Sequence, residues 1–276
     1  MHDGFFQRLS SAVGSHGPLC VGLDPSAKLL SAWGLTDDAT SAERLARTTI
    51  AAAQGAAGIV KVQVAFFERH GAAGYASLER VIADARAVGL VVIADAKRGD
   101  IRSTNEGYAD AWLSDHSPLA VDALTVSCYL GIDAMTPVFE LAHASGRGVF
   151  AVAASSNDEG RDLQTARQAS GVTVESELLR ALGVADERLG GAGAPPRCLG
   201  AVVGAQRRPD GLSAFDGPVL VPGIGAQGSG PAELGELLGA MSHRVVAVNV
   251  SRAILGAGPS PDAVRATISR LASELR

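Results

Sequence analysis

Eight short runs of Val, Ile and Leu are spaced along this chain, and most are followed by a stretch with apolar residues at helical spacing. That alternation leaves few architectures open. The runs are LCVGLD from Leu19, IVKVQVAFF from Ile59, VVIADAK from Val91, DALTVS from Asp122, GVFAVAAS from Gly148, LGAVVGA from Leu199, PVLVPGIG from Pro218 and VVAVNVS from Val245. Most are apolar without strict alternation, as befits strands buried on both faces of a parallel sheet. Strand followed by helix eight times predicts an α/β fold closed into a (β/α)8 TIM barrel rather than an open sheet. The 276 residues match the ~250 typical of such a barrel, so a single domain over 1–276 is expected.

Two of the intervening segments carry clear helical signals. In the last, Ser260 is placed to cap, Pro261 takes the first helical position, and Val264, Ile268, Leu271 and Leu275 form one apolar stripe. The second aligns Tyr75, Leu78, Val81, Ile82 and Ala85 on one face. GGAGAPPR, from Gly190 to Arg197, reads as a surface loop rather than a domain boundary, because strand patterning resumes directly after it.

Composition removes several function classes. With 47% hydrophobic and 19% charged residues the chain is not a disordered one, and no apolar run reaches the ~18 residues of a membrane span. The N-terminal residues lack the basic region and apolar block of a secretory signal, so a cytoplasmic location is expected. A net charge of −5 without a basic cluster argues against a nucleic-acid partner. Cys20, Cys128 and Cys198 are scattered and without a CxxC pair, which favours reduced packing residues over disulfides or zinc ligands. His2, His16, His70, His116, His143 and His243 show no metal-binding spacing and read as solvated or capping residues. Trp33 and Trp112 read as packing residues, and the Arg207–Arg208 pair as solvated surface.

In a barrel of this kind chemistry sits at the C-terminal ends of the strands. The third run delivers Asp95, Lys97 and Asp100 within six positions of such an end. Asp95 and Lys97 are two apart, so in extended chain their side chains share a face and point into the barrel mouth. Lys61 lies in an otherwise apolar second strand, where an unpaired ammonium is costly to bury, and Asp95 on the adjacent strand is its natural partner. Asp24, ending the first strand, adds a carboxylate to the same rim, although a capping or turn role also fits it. An ion network serving only stability is the competing reading of the whole group. At the other end of the chain, VPGIGAQGSG and VNVSRAILG place glycine-rich backbone beside a turn into a helix at Ser251 and Arg252. This is where many barrels bind phosphate, with Gln227 and Arg252 as side-chain donors, although glycine can equally serve a tight turn.

DAKRGD from Asp95 to Asp100, followed by Ile101 and Thr104, resembles the DxKxxD signature of the orotidine 5'-monophosphate decarboxylase family. The resemblance extends over nearly the whole chain, through Asp24, Lys61, Ser155 and Ser156 ending strand five, PGIGAQ and NVSRAI. VKVQVAFFE and PGIGAQG are most similar to the longer, type 2 branch. DxKxxD alone is shared with sugar-phosphate decarboxylases of the same superfamily, whereas the dispersed motifs together are specific.

The resemblance implies a cofactor-free, metal-free lyase that converts orotidine 5'-monophosphate (OMP) to uridine 5'-monophosphate (UMP) and CO2 in pyrimidine biosynthesis. It implies a charge network of Lys61, Asp95, Lys97 and Asp100, with Lys97 as proton donor to C6. Asp24 and Lys61 would hold ribose hydroxyls, Ser155 or Ser156 would meet the pyrimidine edge, and Gln227 with Arg252 would grip the phosphate. Asp100, Ile101 and Thr104 would reach the site of a partner subunit in a homodimer. One departure is that the short loop after strand seven has no match for an additional phosphate-contacting side chain found in other branches. The rival readings are a magnesium-dependent 3-keto-gulonate-6-phosphate decarboxylase and a non-catalytic phosphometabolite-binding barrel.

Overall fold

The computed structural model describes residues 4–191, 196–223, 239 and 245–276. Its eight parallel strands close into a barrel in sequence order. They are β1 (Leu19–Leu23), β2 (Ile59–Gln63), β3 (Val91–Arg98), β4 (Ala123–Val126), β5 (Gly148–Ala154), β6 (Leu199–Val203), β7 (Val219–Val221) and β8 (Val246–Val250). Closure is direct, with β1 paired to both β2 and β8. This is the TIM (β/α)8 architecture expected from the alternation of runs. Each run forms a strand near its expected start, but AFF, read with the second strand, lies in a short helix Ala65–Glu68. A short apolar stretch does not by itself distinguish strand from helix.

Two apolar layers explain why the barrel is solid below its mouth. Outside the strands, the helices bury one stripe each: Leu78, Val81, Ile82 and Ala85 on the helix Gly71–Ala87, and Val264 and Ile268 on Pro261–Glu274. Ser260 caps the latter by accepting from the Ala263 N–H, as its position predicts. Trp33 and Trp112 are buried in this outer layer, as expected of packing residues. Inside, Cys20, Ile59, Ile93, Ala123, Phe150, Leu220 and Ala247 fill the barrel, and Phe5 and Leu9 of the helix Phe5–His16 pack beneath them. Phe5 meets Phe150 edge to face at 5.8 Å. Gly148 makes this plug possible, since a Cβ there would lie 2.2 Å from the Phe5 ring. With the lower barrel packed, the open space along its axis lies at the C-terminal ends of the strands.

Cys20, Cys128 and Cys198 are free thiols, and burial pushes Cys20 and Cys128 up to about 12, consistent with packing roles. Residues 192–195 of the GGAGAPPR loop, together with Gln227, His2 and His243, lie outside the described residues. Among the described residues no helix is long and apolar enough to cross a membrane.

Candidate active site

Register brings the charged groups of the second and third strands to one level. Gln63 pairs with Asp95, and Lys61 lies two residues below Gln63 on the same face. Lys61 is buried, and its Nζ donates to Asp95 Oδ2 at 2.8 Å and to Gln63 Oε1 at 3.2 Å. Lys97 Nζ donates to the other oxygen, Asp95 Oδ1, which also accepts from Thr125 Oγ1 at 3.1 Å. Asp95 is therefore a carboxylate held by two ammonium groups and a hydroxyl. Burial would raise its pKa, but Lys61 and Lys97 outweigh that and hold it at about 2. Burial likewise works to lower the pKa of Lys61, and Asp24 and Asp95 reverse it, so the net direction is upward. The pair stays ionised because each charge compensates the other's desolvation.

Lys97 reaches this position through an unusual backbone. Its φ is +46°, in the left-handed region, where the β3–β4 register shifts between Ala94 and Arg98. Its N–H donates to Thr125 Oγ1 at 2.9 Å, so one threonine anchors both the Lys97 backbone and the Asp95 carboxylate. A bulky residue in that region costs about 1–2 kcal/mol and persists only when its surroundings enforce it. The Lys97 side chain remains half exposed.

Asp24 closes the other side of the mouth. Ser251 Oγ donates to Asp24 Oδ2 at 2.5 Å, while Asp24 Oδ1 is buried without a hydrogen-bond partner. A buried acceptor left open in a cavity wall is poised for a ligand donor. Gly22 permits the approach of β1 to β8, because a Cβ there would sit 2.5 Å from Ser251 Cβ.

These groups line a cavity of about 240 Å³ together with Ser155, Ser156, Pro222, Gly223 and Arg252. Arg252 is exposed at the start of a four-residue helix, with no ion-pair partner among the described residues. The cavity thus brings together Asp24, Lys61, Asp95, Lys97, Ser155, Ser156 and Arg252. It does not include Asp100. The Asp100 Oδ1 accepts from the Ile101 N–H at 2.6 Å, and Asn105 clasps its backbone. Ile101 and Thr104 are exposed, Ile101 by 58%, and neither lines this cavity.

Sequence reading missed Gln63, Thr125 and Asn249, all of which line the cavity. Each is a polar residue inside an apolar strand run, a signal that could have singled them out. One reading needs correction. Arg207 is not solvated surface: it is 5% exposed and ion-paired with buried Glu175. That pair closes a contact across 32 residues of sequence, which local composition does not reveal. Among the described residues no three His, Cys, Asp or Glu side chains converge as a metal site.

The arrangement is a buried, charge-alternating array beside an open acceptor and a cation, suited to holding a polar anionic metabolite against a lysine. Comparison with known proteins gives it a family. The sequence model described as "Orotidine 5'-phosphate decarboxylase / HUMPS family" matches residues 17–267. The orotidine 5'-phosphate decarboxylase of Corynebacterium efficiens is 44% identical, over 99% of this chain and 98% of the relative. That of Streptomyces coelicolor is 45% identical, over 99% and 98%. A crystal structure of a candidate orotidine 5'-phosphate decarboxylase from Streptomyces avermitilis superposes with a TM-score of 0.90 at 46% identity, covering 100% of this chain and 95% of that one. The Leishmania donovani OMP decarboxylase structure gives 0.75 at 30% identity, covering 99% and 97%. On its cavity, its barrel and its likeness along the full length, this chain belongs to the orotidine 5'-phosphate decarboxylase / HUMPS family.

Proposed function

We propose that this chain, as one (β/α)8 domain, decarboxylates orotidine 5'-monophosphate to UMP and CO2, the step that completes UMP synthesis. The observation that carries the reading is the Lys61–Asp95–Lys97 array, in which one buried carboxylate is shared by two ammonium groups at the floor of the cavity.

The chemistry follows from that charge pattern. When the bond between C6 and the carboxylate breaks, its electron pair stays on C6 in the plane of the ring, where the π system cannot absorb it. A preorganised cation is the direct remedy. Lys97 stabilises the developing charge and then donates a proton to C6, forming the C6–H bond, and recovers its proton from solvent through its half-exposed side chain. Asp95 fixes Lys97 and, placed against the substrate carboxylate, disfavours the bound ground state. Lys61 and the open oxygen of Asp24 meet the ribose hydroxyls. Ser155 or Ser156 meets the pyrimidine edge, and Arg252 with Gln227 holds the phosphate. Binding energy from the distant phosphate then supports the chemical step as well as affinity.

The active unit in this reading is a cytoplasmic homodimer with shared sites. Two observations support it: Asp100, Ile101 and Thr104 do not line the cavity of their own chain, and exposed Ile101 stands in a loop adjacent to the one bearing exposed Tyr129 and Leu130. The contact between those loops is close, since a Cβ at Gly99 would lie 2.0 Å from the Ser127 carbonyl oxygen.

No metal enters the scheme. Both oxygens of Asp95 are committed to ammonium groups, which are poor neighbours for a cation. The test is a turnover assay that follows loss of OMP absorbance and formation of UMP, with and without EDTA, alongside 3-keto-gulonate 6-phosphate. Turnover of OMP that EDTA leaves unchanged is expected. Turnover of the sugar phosphate alone, lost in EDTA and restored by magnesium, would overturn the assignment.

A further inference from the structure

Two central residues of DAKRGD have no place in the cavity. Asp95 and Lys97 line it, whereas Arg98 and Gly99 do not. Gly99 lets the loop after β3 lie against Ser127. Arg98 turns outward among the helices, and its side chain is mostly covered. One arm of its guanidinium is ion-paired with Glu68, at the end of the helix that follows β2, and the Glu68 carboxylate also accepts from Tyr75 Oη at 2.6 Å. The guanidinium carbon lies 5.7 Å from the centre of the Tyr108 ring and 5.9 Å from that of Trp112, both on the helix Arg102–Leu113. Two rings and a carboxylate leave a planar cation little freedom.

The other arm reaches back to the bulge that presents Lys97. The β3–β4 pairing sets Ala94 opposite Leu124 and resumes with Arg98 opposite Val126, so β3 takes four steps where β4 takes two. Arg98 is thus the residue at which the strand rejoins its neighbour, and its carbonyl accepts from the Ser127 N–H at 2.8 Å. Within the bulge, Arg98 Nη1 donates to the Ala96 carbonyl at 3.2 Å, and the Lys97 N–H donates to Thr125 Oγ1 at 2.9 Å. These contacts hold opposite ends of one peptide group, the carbonyl from outside the barrel and the N–H from inside. A peptide group is planar, so pinning both ends fixes the plane from which the Lys97 Cα–Cβ bond departs. The left-handed φ of +46° is a conformation that its surroundings must enforce. Thr125 supplies one half of that enforcement and Arg98 the other. Because Glu68 follows β2, the brace also ties the strand bearing Lys61 to the strand bearing Asp95 and Lys97.

We infer that Arg98, held by Glu68, Tyr108 and Trp112, is a positioning residue for the proton transfer: it pins the Ala96–Lys97 peptide from outside the barrel and so keeps the Lys97 amine on Asp95 in the cavity wall. This rests on the proposed decarboxylase function. Arg98 does not line the cavity, so its loss acts on the chemical step and spares affinity.

The experiment compares Arg98→Met and Arg98→Lys with wild type, each alone and combined with Lys97→Ala, by kcat, KM, UMP affinity and urea midpoint. Arg98→Met keeps an apolar stem between the rings and removes the guanidinium, so kcat should fall about ten- to a hundred-fold, the size expected of a displaced reacting group. KM and UMP affinity should change by less than about two-fold, the pattern of an interaction expressed only in the transition state. Arg98→Lys keeps a charge for Glu68, which guards against misfolding, but an ammonium cannot hold the carboxylate and the Ala96 carbonyl as the planar fork does. Its kcat should fall about ten-fold with UMP affinity again unaltered. Adding either substitution to Lys97→Ala should lower the residual rate no further, because both act through one amine. A kcat within about two-fold of wild type in either folded variant, a loss of UMP affinity in step with kcat, or a full further loss in the Lys97→Ala background would overturn the inference while wild-type turnover of OMP still stands. A wild-type protein that neither turns over OMP nor binds UMP would overturn the functional reading and this inference with it.

Discussion

Lys97 combines a reactive side chain with a strained backbone, and two substitutions separate these properties. Lys97→Ala and Lys97→Gly both remove the amine, and both should lose at least about 100-fold in kcat, the lower bound for a positioned proton donor. Their stabilities should differ in an unusual direction. At an ordinary position glycine is less stable than alanine by roughly 0.5–1 kcal/mol, because it loses more chain entropy on folding. At φ +46° the alanine retains a left-handed penalty of about 1–2 kcal/mol that glycine escapes. Subtracting one from the other, Lys97→Gly should be at least as stable as Lys97→Ala, by up to about 1.5 kcal/mol. Neither should unfold, because Asp95 keeps Lys61 and Thr125 as partners, and the half-exposed Lys97 ion pair contributes at most about 1 kcal/mol. Urea unfolding of the two variants, alongside the absorbance assay, measures both effects. A glycine variant less stable than the alanine variant would refute the strain argument. Activity above about a tenth of wild type in either would refute the role given to Lys97.

Mixing inactive Lys97→Ala and Asp100→Ala proteins should restore activity at roughly a quarter of all sites once subunits exchange freely, since each mixed dimer has one site with both lesions and one with neither. Verified exchange without recovered activity would place Asp100 in its own subunit's site. Asp95 titrates near 2 in the folded chain, below its ordinary 3.8, so its contribution is complete above that ordinary value and is lost as pH falls through about 2. Between pH 4.5 and 2 the stability of wild type relative to Asp95→Asn should therefore fall by about 2 kcal/mol, measured by urea unfolding at each pH; a difference independent of pH would contradict the ionic account. Gly22→Ala should cost about 1–3 kcal/mol and displace Ser251 from Asp24, read as a lower urea midpoint and weaker ribose 5-phosphate binding.

The strands were legible because burial on both faces demands uninterrupted Val, Ile and Leu, a local property of sequence. Lys61 was legible for the opposite reason: an ammonium in such a run requires a carboxylate, and the adjacent strand offered Asp95. The spacing of Asp95 and Lys97 predicted a shared face, and they do meet, although the left-handed backbone at Lys97 and the anchoring by Thr125 carry no spacing signal. Arg207 illustrates what stays hidden. Its burial is set by Glu175 and Gln164, on segments brought together only when the barrel closes. Asp100 shows the complementary limit, since it does not line the cavity of its own chain and the role proposed for it depends on a partner subunit.

Decarboxylation in D2O tests the central claim most directly, because the reaction proposed here replaces the carboxylate at C6 with a proton drawn from Lys97 and ultimately from solvent. Wild-type protein given OMP in D2O should release one CO2 for each UMP formed, with NMR showing deuterium at C6 of that UMP, while Lys97→Ala should give neither product at more than about a hundredth of the rate. Absence of UMP from the wild-type reaction, or its formation at a comparable rate by Lys97→Ala, would contradict the account.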